Sequence, residues 1–187
     1  MQIKIAKSTR YVVIVSLFVI VIAELVQLNL GETVAIYWHL GHGFSERCCG
    51  VDITVPLMYF GGKEDNESLS LITTPGYLRS LVLHSPHAMI RIAKNSTDLD
   101  EEHIRLSTDR VIRMWGHSGY RLRGTRTIQV AGSPLTCSEL YLERLGAVGP
   151  GDQVLCIGRG RYAYFSGSPG LRDEFYSIVR TAKVTPQ

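Results

Sequence analysis

Hydrophobic positions crowd the start of the chain. From Tyr11 to Ala23 the sequence YVVIVSLFVIVIA runs thirteen positions without a charge, and after Glu24 the weaker apolar stretch LVQLNL carries it to Leu30. The first part has the length of a signal-peptide core, with a cleavage point after Ala23. Read through to Leu30, the stretch is about 20 residues, enough to cross a hydrocarbon layer near 30 Å thick. Val and Ile persist to the end of the first run and apolar residues continue past Glu24, which favours a retained anchor over a cleaved leader. Lys4, Lys7 and Arg10 precede the run and no basic cluster follows it, so the positive-inside rule leaves the N-terminus cytoplasmic. The expected organisation is a cytoplasmic tip and membrane anchor (or signal peptide) over residues 1–30, followed by a single periplasmic or extracellular domain over 31–187.

Beyond the anchor the patterning is that of a folded domain. Residues 31–50, GETVAIYWHLGHGFSERCCG, are poor in charge, rich in aromatics, His and Gly, and follow no single period. VDITVPLMYFGG (51–62) is strand-like, with Pro56 marking an edge or a bulge. After the polar turn KEDNES, the segments LSLIT and AMIRIAK are short strands, while PGYLRSLVLHSP between them fits neither period. A helix is predicted from Ser96-Thr97-Asp98 to Trp115, because acidic residues at 98, 100, 101 and 102 suit its positive end and Leu99, Ile104, Thr108, Val111, Ile112 and Trp115 share one side. Gly116 would close it. Four more strand-like segments follow (YRLRGTRTIQV, SELYLER, QVLCI and RYAYFS), with a hairpin turn at Gly158-Arg159-Gly160 between the last two. A terminal helix is capped by Ser168, has Pro169 in its first turn and lays Leu171, Phe175, Ile178 and Val179 on a sheet. This order predicts an α+β fold, an antiparallel sheet covered by helices (α/β/α sandwich-like), preceded by a single N-terminal transmembrane helix. The arrangement resembles the α/β/α sandwich of the photosystem II extrinsic proteins, a likeness of fold that transfers no function.

Composition narrows the partners. The 187 residues are 45% hydrophobic and 20% charged with a formal charge of +3, and three of the basic residues precede the anchor. A nucleic-acid binder concentrates far more Lys and Arg on one face, so no nucleic-acid partner is expected. The expected partners are the lipid bilayer, through residues 11–30, and another membrane protein.

Candidate chemistry centres on the four cysteines. Cys137 and Cys156 fall on neighbouring predicted strands in a compartment where disulfides persist; closing a loop of about 20 residues contributes roughly 3 kcal/mol. Cys48 and Cys49 are adjacent, and four cysteines admit three pairings. With His39 and His42 they form H-x2-H-x5-C-C, ligand types that suit zinc or copper at a spacing that matches no standard site. Leu135-Thr136-Cys137, in a chain with an apolar N-terminus, resembles the sortases, the membrane-anchored cysteine transpeptidases. That resemblance implies a Cys137 nucleophile, His84 or His87 as the histidine and Arg144 or Arg159 at the oxyanion, although Pro134 stands where the family pattern expects Leu.

Other motifs exclude more than they offer. Gly116-His117-Ser118 lacks the second glycine of a nucleophile elbow and the strand before it, and Gly158-Arg159-Gly160-Arg161 lacks the βαβ setting of a dinucleotide loop. Asn66-Glu67-Ser68 and Asn95-Ser96-Thr97 are glycosylation acceptor patterns in polar turns. Tyr162, Tyr164 and Phe165 with Arg159 and Arg161 compose an aromatic and basic patch, half of which must face the core. The sequence therefore predicts an accessory or scaffold domain acting by association within a membrane complex, with no catalytic residue, no cofactor and no metal. The alternatives are a sortase-like enzyme using Cys137 and a metal-binding or redox accessory protein using His39, His42, Cys48 and Cys49.

Overall fold

The computed structural model describes residues 7–28, 30–65, 67–73, 87–95, 100–143 and 151–185. It is a mixed α+β arrangement of antiparallel sheets and helices. In chain order come α1 (Lys7–Leu28), α2 (Leu30–His42), β1 (Ser45–Cys48), β2 (Val51–Thr54), β3 (Phe60–Asp65), β4 (Ser68–Thr73) and β5 (Ala88–Lys94). These are followed by α3 (Glu101–His117), β6 (Arg121–Val130), β7 (Ser133–Leu142), β8 (Gly151–Gly158), β9 (Arg161–Gly167), a 3₁₀ turn (Pro169–Leu171), α4 (Arg172–Arg180) and β10 (Lys183–Val184). One sheet has the order β1-β2-β10; the other has seven strands in the order β3-β4-β5-β9-β8-β7-β6.

The period-two alternation of the strands decides where the core lies. One row crosses all seven strands through Gly61, Leu71, Ile90, Phe165, Val154, Glu139 and Gly124, and the next through Lys63, Leu69, Ile92, Ala163, Cys156, Cys137 and Arg126. Their apolar members are buried beneath Phe175, Tyr176, Ile178 and Val179 of α4 and beneath Val51, Ile53 and Val55 of the small sheet and its exit. Phe165 and Phe175 meet with ring centroids 5.5 Å apart. Burying a side chain of this size contributes roughly 1.5–3 kcal/mol, so a score of them supplies most of the drive to fold. The opposite face carries Thr125, Thr127, Thr136, Ile157 and Tyr164 and is crossed by α3, whose Trp115 ring stands 5.7 Å from that of Tyr164.

Several local expectations are corrected. Residues 51–62 are two strands in two different sheets, because Pro56 has no N–H for a ladder. The chain turns there instead, with the Tyr59 N–H donating to the Pro56 carbonyl at 2.9 Å. Residues 30–42, without a clear period in sequence, form α2. The described part of the mid-chain helix begins at Glu101, capped by the Asp100 carboxylate, which accepts from the His103 N–H at 2.8 Å and is thereby held below the ordinary carboxylate range. Gly116 lies inside that helix, and Ser118 closes it. Ser168 does not cap the terminal helix: its hydroxyl accepts from the His87 N–H at 3.1 Å, and the 3₁₀ turn leads into α4. PGYLRSLVLHSP falls outside the described residues. Among the described residues no helix is long and apolar enough to cross a membrane.

Gly158 is held to glycine by close approach, since a Cβ there would stand 2.5 Å from the Pro134 carbonyl oxygen and also strike the Leu135 side chain. Gly116, near the end of α3, has nothing within 4 Å of a Cβ. Denaturant titration is expected to show Gly158→Ala destabilised by about 1–3 kcal/mol through overpacking. Gly116→Ala should instead gain about 0.5 kcal/mol from the lower chain entropy of Ala.

Candidate functional site

A concavity lies between α3 and the strands β6, β7 and β8, a groove of about 860 Å³. α3 crosses the sheet here because the half-buried Ile104, the buried Thr108 and the half-buried Ile112 follow one another about a turn apart along its inner side. The groove's apolar floor is completed by Ile157, Leu122 and Pro134. Thr125, Thr127 and Thr136 project into it from β6 and β7, where Thr127 and Thr136 are register partners. Arg105, Asp109 and Arg159 stand at its margin. Apolar area plus a ladder of hydroxyls suits reversible binding of an extended ligand, and β6 is moreover the edge strand of the sheet.

A second cluster, beneath α4 on the core face, was invisible to motif reading because its members come from distant segments. Glu139 of β7 and Asp152 of β8 have side chains only 8% and 1% exposed. Arg126 holds Glu139 through both Nε and Nη2, and the Tyr176 hydroxyl donates to the same carboxylate at 2.8 Å. Arg123 donates to Asp152 at 3.0 and 3.4 Å, and Arg172 of α4 reaches Asp152 at 3.2 Å and Glu139 at 3.5 Å. Burial pushes the Asp152 carboxyl above its ordinary range, against the pull of Arg123. A register shift between Leu122 and Gly124 makes the cluster possible: the extra residue lets Arg121 and Arg123 share the core face with Arg126, Ile128 and Val130. Two buried carboxylates invite an acid–base role, but guanidinium donors occupy both, so the cluster acts as a clamp fastening α4 to the sheet.

The predicted site residues separate. Cys137 and Cys156 are register partners on the core face of β7 and β8, both buried, and are joined in a disulfide with an S–S distance of 2.05 Å. A sulfur so bonded supplies no thiolate, which corrects the sortase-like reading of Cys137. The other parts of that reading do not assemble. His87 lies three strand spacings and five residues away, on the order of 20 Å by sheet geometry. Arg159 lines the groove on the other face, and His84 and Arg144 fall outside the described residues.

The four possible metal ligands do not converge either. Cys48 and Cys49 are bonded to each other at the head of the β1–β2 hairpin, where Cys49 and Gly50 have φ of 59° and 72°, the left-handed pair of a two-residue turn. The Cys49 sulfur points into the body, 3.0 Å from the Glu67 carbonyl oxygen. Both ring nitrogens of His39 face carbonyl oxygens, Gly43 at 2.6 Å and Pro56 at 3.1 Å. His42 stacks on Trp38, centroids 4.7 Å apart. Among the described residues no group of three or more His, Cys, Asp and Glu side chains is placed to hold a metal ion. Nor do the aromatic and basic residues of β9 form one patch: Phe165 is in the core, Tyr164 packs on Trp115, and Arg161 donates to the Val130 carbonyl at 3.4 Å.

Two measurements probe these clusters. Thiol counting should find Cys137 and Cys156 unreactive to alkylation until reductant and denaturant are added together, and the double alanine variant should lose roughly 2–4 kcal/mol of stability. Tyr59 and Tyr176 are buried, and their hydroxyls donate to Glu174 and Glu139; burial first, and then those carboxylates, raise both phenols well above the ordinary tyrosine value. The folded protein therefore keeps protons that the unfolded chain sheds near pH 10, so their contribution is whole below about pH 10 and is lost as pH rises beyond it. Urea titrations should show stability falling across that alkaline limb. Tyr176→Phe should flatten the limb while costing about 1–3 kcal/mol at neutral pH.

No family model matches the chain, and no curated protein matches it in sequence. Among solved structures the chain is similar to the cyanobacterial PsbP protein (CyanoP) of Synechocystis sp. PCC 6803, at 11% identity and a TM-score of 0.47 over 76% of this chain and 91% of that one. It is also similar to a Bacteroides thetaiotaomicron protein, at 9% identity and a TM-score of 0.43 over 75% of this chain and 47% of that one. A third similar structure is PA94 of Pseudomonas aeruginosa, described as a putative regulator, at 13% identity and a TM-score of 0.36 over 76% and 97% of the two chains. Likenesses of this order assign the chain neither a family nor an activity.

Proposed function

We propose that the protein is a membrane-tethered accessory domain that works by association, α1 holding it at the bilayer and the groove beside α3 receiving an extended segment of a membrane-protein partner. The observation that carries the reading is the surface of α1. Ile14, Val15, Leu17, Phe18, Val19, Ile20 and Val21 are all exposed. Positions so nearly consecutive span every azimuth of a helix at 100° per residue, and a helix apolar all round needs a surrounding apolar medium. Counted from Tyr11, where the uncharged run starts, to its end at Leu28, α1 is about 27 Å long at 1.5 Å per residue, with Glu24 and Gln27 toward its far end. That approaches the thickness of a hydrocarbon layer of about 30 Å. Lys4, Lys7 and Arg10 favour a cytoplasmic N-terminus, which would leave the body and its disulfide on the oxidising side.

The test uses the full chain in membranes. It should stay in the pellet through alkaline carbonate, and Val15→Arg with Val19→Arg, each costing about 2.5–3.5 kcal/mol at a helix centre, should release it. Release of the unaltered chain by carbonate would remove the tether. In the same membranes a photo-crosslinker at Thr127, inside the groove, should give one discrete adduct with a membrane protein; adducts with lipid alone would remove the association.

A further inference from the structure

We infer that α2 and the Pro56–Tyr59 turn form a second membrane contact, an apolar face that lays the body on the bilayer interface. The inference rests on the tether proposed above and adds to it the orientation of the domain. α2 is amphipathic in an unusual sense. Gly31, Ala35 and His39 are buried and Trp38 half-buried, and these positions share one side of the helix. The opposite side carries Ile36, Tyr37 and Leu40 within about 100° of arc, with Tyr37 79% and Leu40 81% exposed. A helix resting on its own domain ordinarily turns its large apolar residues inward; here only Trp38 does so, and Ile36, Tyr37 and Leu40 point away.

The patch extends past the helix. Phe44, just beyond α2, is exposed and stacks on His39 with centroids 4.5 Å apart. Its carbonyl accepts from the Val55 N–H at 2.9 Å, while His39 Nε2 lies 3.1 Å from the Pro56 carbonyl oxygen. These bonds hold the Pro56–Tyr59 turn beside α2, and the tip of that turn presents Leu57 and Met58 to solvent. Two elements from different parts of the chain thus contribute to one apolar surface.

Its occupant follows from connectivity and charge. A single residue separates Leu28, the last of α1, from Leu30, the first of α2, so α2 begins within a few ångströms of the end of the tether. If that end lies at the interface, α2 starts there too. The outward side holds Tyr37 among aliphatic and aromatic neighbours, the mixture favoured at headgroup level, and neither lysine nor arginine. The surface therefore fits the acyl-chain boundary of a zwitterionic bilayer, reached by apolar insertion and not by attraction to anionic headgroups.

The experiment places a reporter on the patch. The chain has two tryptophans, Trp38 and Trp115. With both changed to Phe, Leu40→Trp and, as a control on α3, Met114→Trp are made in the full chain and reconstituted into phosphatidylcholine vesicles containing lipids brominated near the headgroup. The expected result is a blue-shifted Leu40→Trp emission that loses roughly half its intensity to shallow bromines, an unquenched Met114→Trp, and no change on adding anionic lipid. Tyr37→Ser with Leu40→Ser should leave the chain in the carbonate pellet while the turn, probed by Leu57→Trp, loses its quenching. An unquenched Leu40→Trp in chain that remains with the vesicles overturns the inference and spares the tether. A blue shift without quenching that grows with protein-to-lipid ratio overturns it in favour of a protein occupant, a second copy or a partner. Quenching that requires anionic lipid overturns it as well, whereas chain that leaves the vesicles under carbonate signals failure of the tether itself.

Discussion

Burial of one face of the seven-stranded sheet is the constraint on which the rest of the structure depends. Every strand offers two faces, and the core-facing rows through Leu69, Leu71, Ile90, Ile92, Val154 and Phe165 are too apolar to meet water. α4 and the small β1-β2-β10 sheet supply the cover, which is why the chain's last helix returns to lie against the strands from β9 to β6 and why β10, only two residues long, pairs with β2 instead of ending free. The other face is less apolar and less completely covered by α3. The groove exists because that face has less to bury.

Charge at the periphery of the core follows from the same geometry. Toward β6 the rows end in Glu139, Gly124 and Arg126, polar or small residues carried beneath α4 by the alternation of their strands. A buried carboxylate is expensive unless it is paired, and the register shift at Leu122 to Gly124 brings arginines to the same side to pair it. Arg172 at the start of α4 and Tyr176 one turn later finish the arrangement. The clamp thus fixes the helix in one position, where apolar packing alone tolerates small slides.

Much of this was legible in the sequence, and what was not has identifiable causes. The strands β5, β8 and β9 and the helices α3 and α4 announce themselves because each keeps one period over its length, whereas β6 loses the period at the shift between Leu122 and Gly124 and the first half of β7 is masked by Pro134. α2 was hidden because Ile36, Tyr37 and Leu40 face outward: a pattern is recognised when it opposes polar and apolar sides, and in GETVAIYWHLGH the side turned to the body mixes Gly31, Ala35, Trp38 and His39 while the outer side is apolar. The strand pair flanking Pro56 looked continuous because both halves are β-branched or aromatic, and only the topology shows that they serve different sheets. Adjacency of Cys137 and Cys156 could be anticipated from strand order. The ion cluster could not, since it joins residues 123, 126, 139, 152, 172 and 176 with no local signature. The histidine and cysteine residues of 39–49 looked like ligands because spacing carries no direction, whereas in the fold they point into separate surroundings.

The Cys137–Cys156 bond joins strands already hydrogen-bonded side by side, so it adds little to the shape of the sheet. Its topological effect is larger. The chain between Leu142 and Gly151 closes a covalent ring, and a single backbone scission there would yield two polypeptides that remain one molecule. The N-terminal piece would keep α1 and the C-terminal piece α4, still stitched together through the middle of the sheet. Wherever a protease reaches that connection, such a stitch turns a severed chain into a tolerated injury.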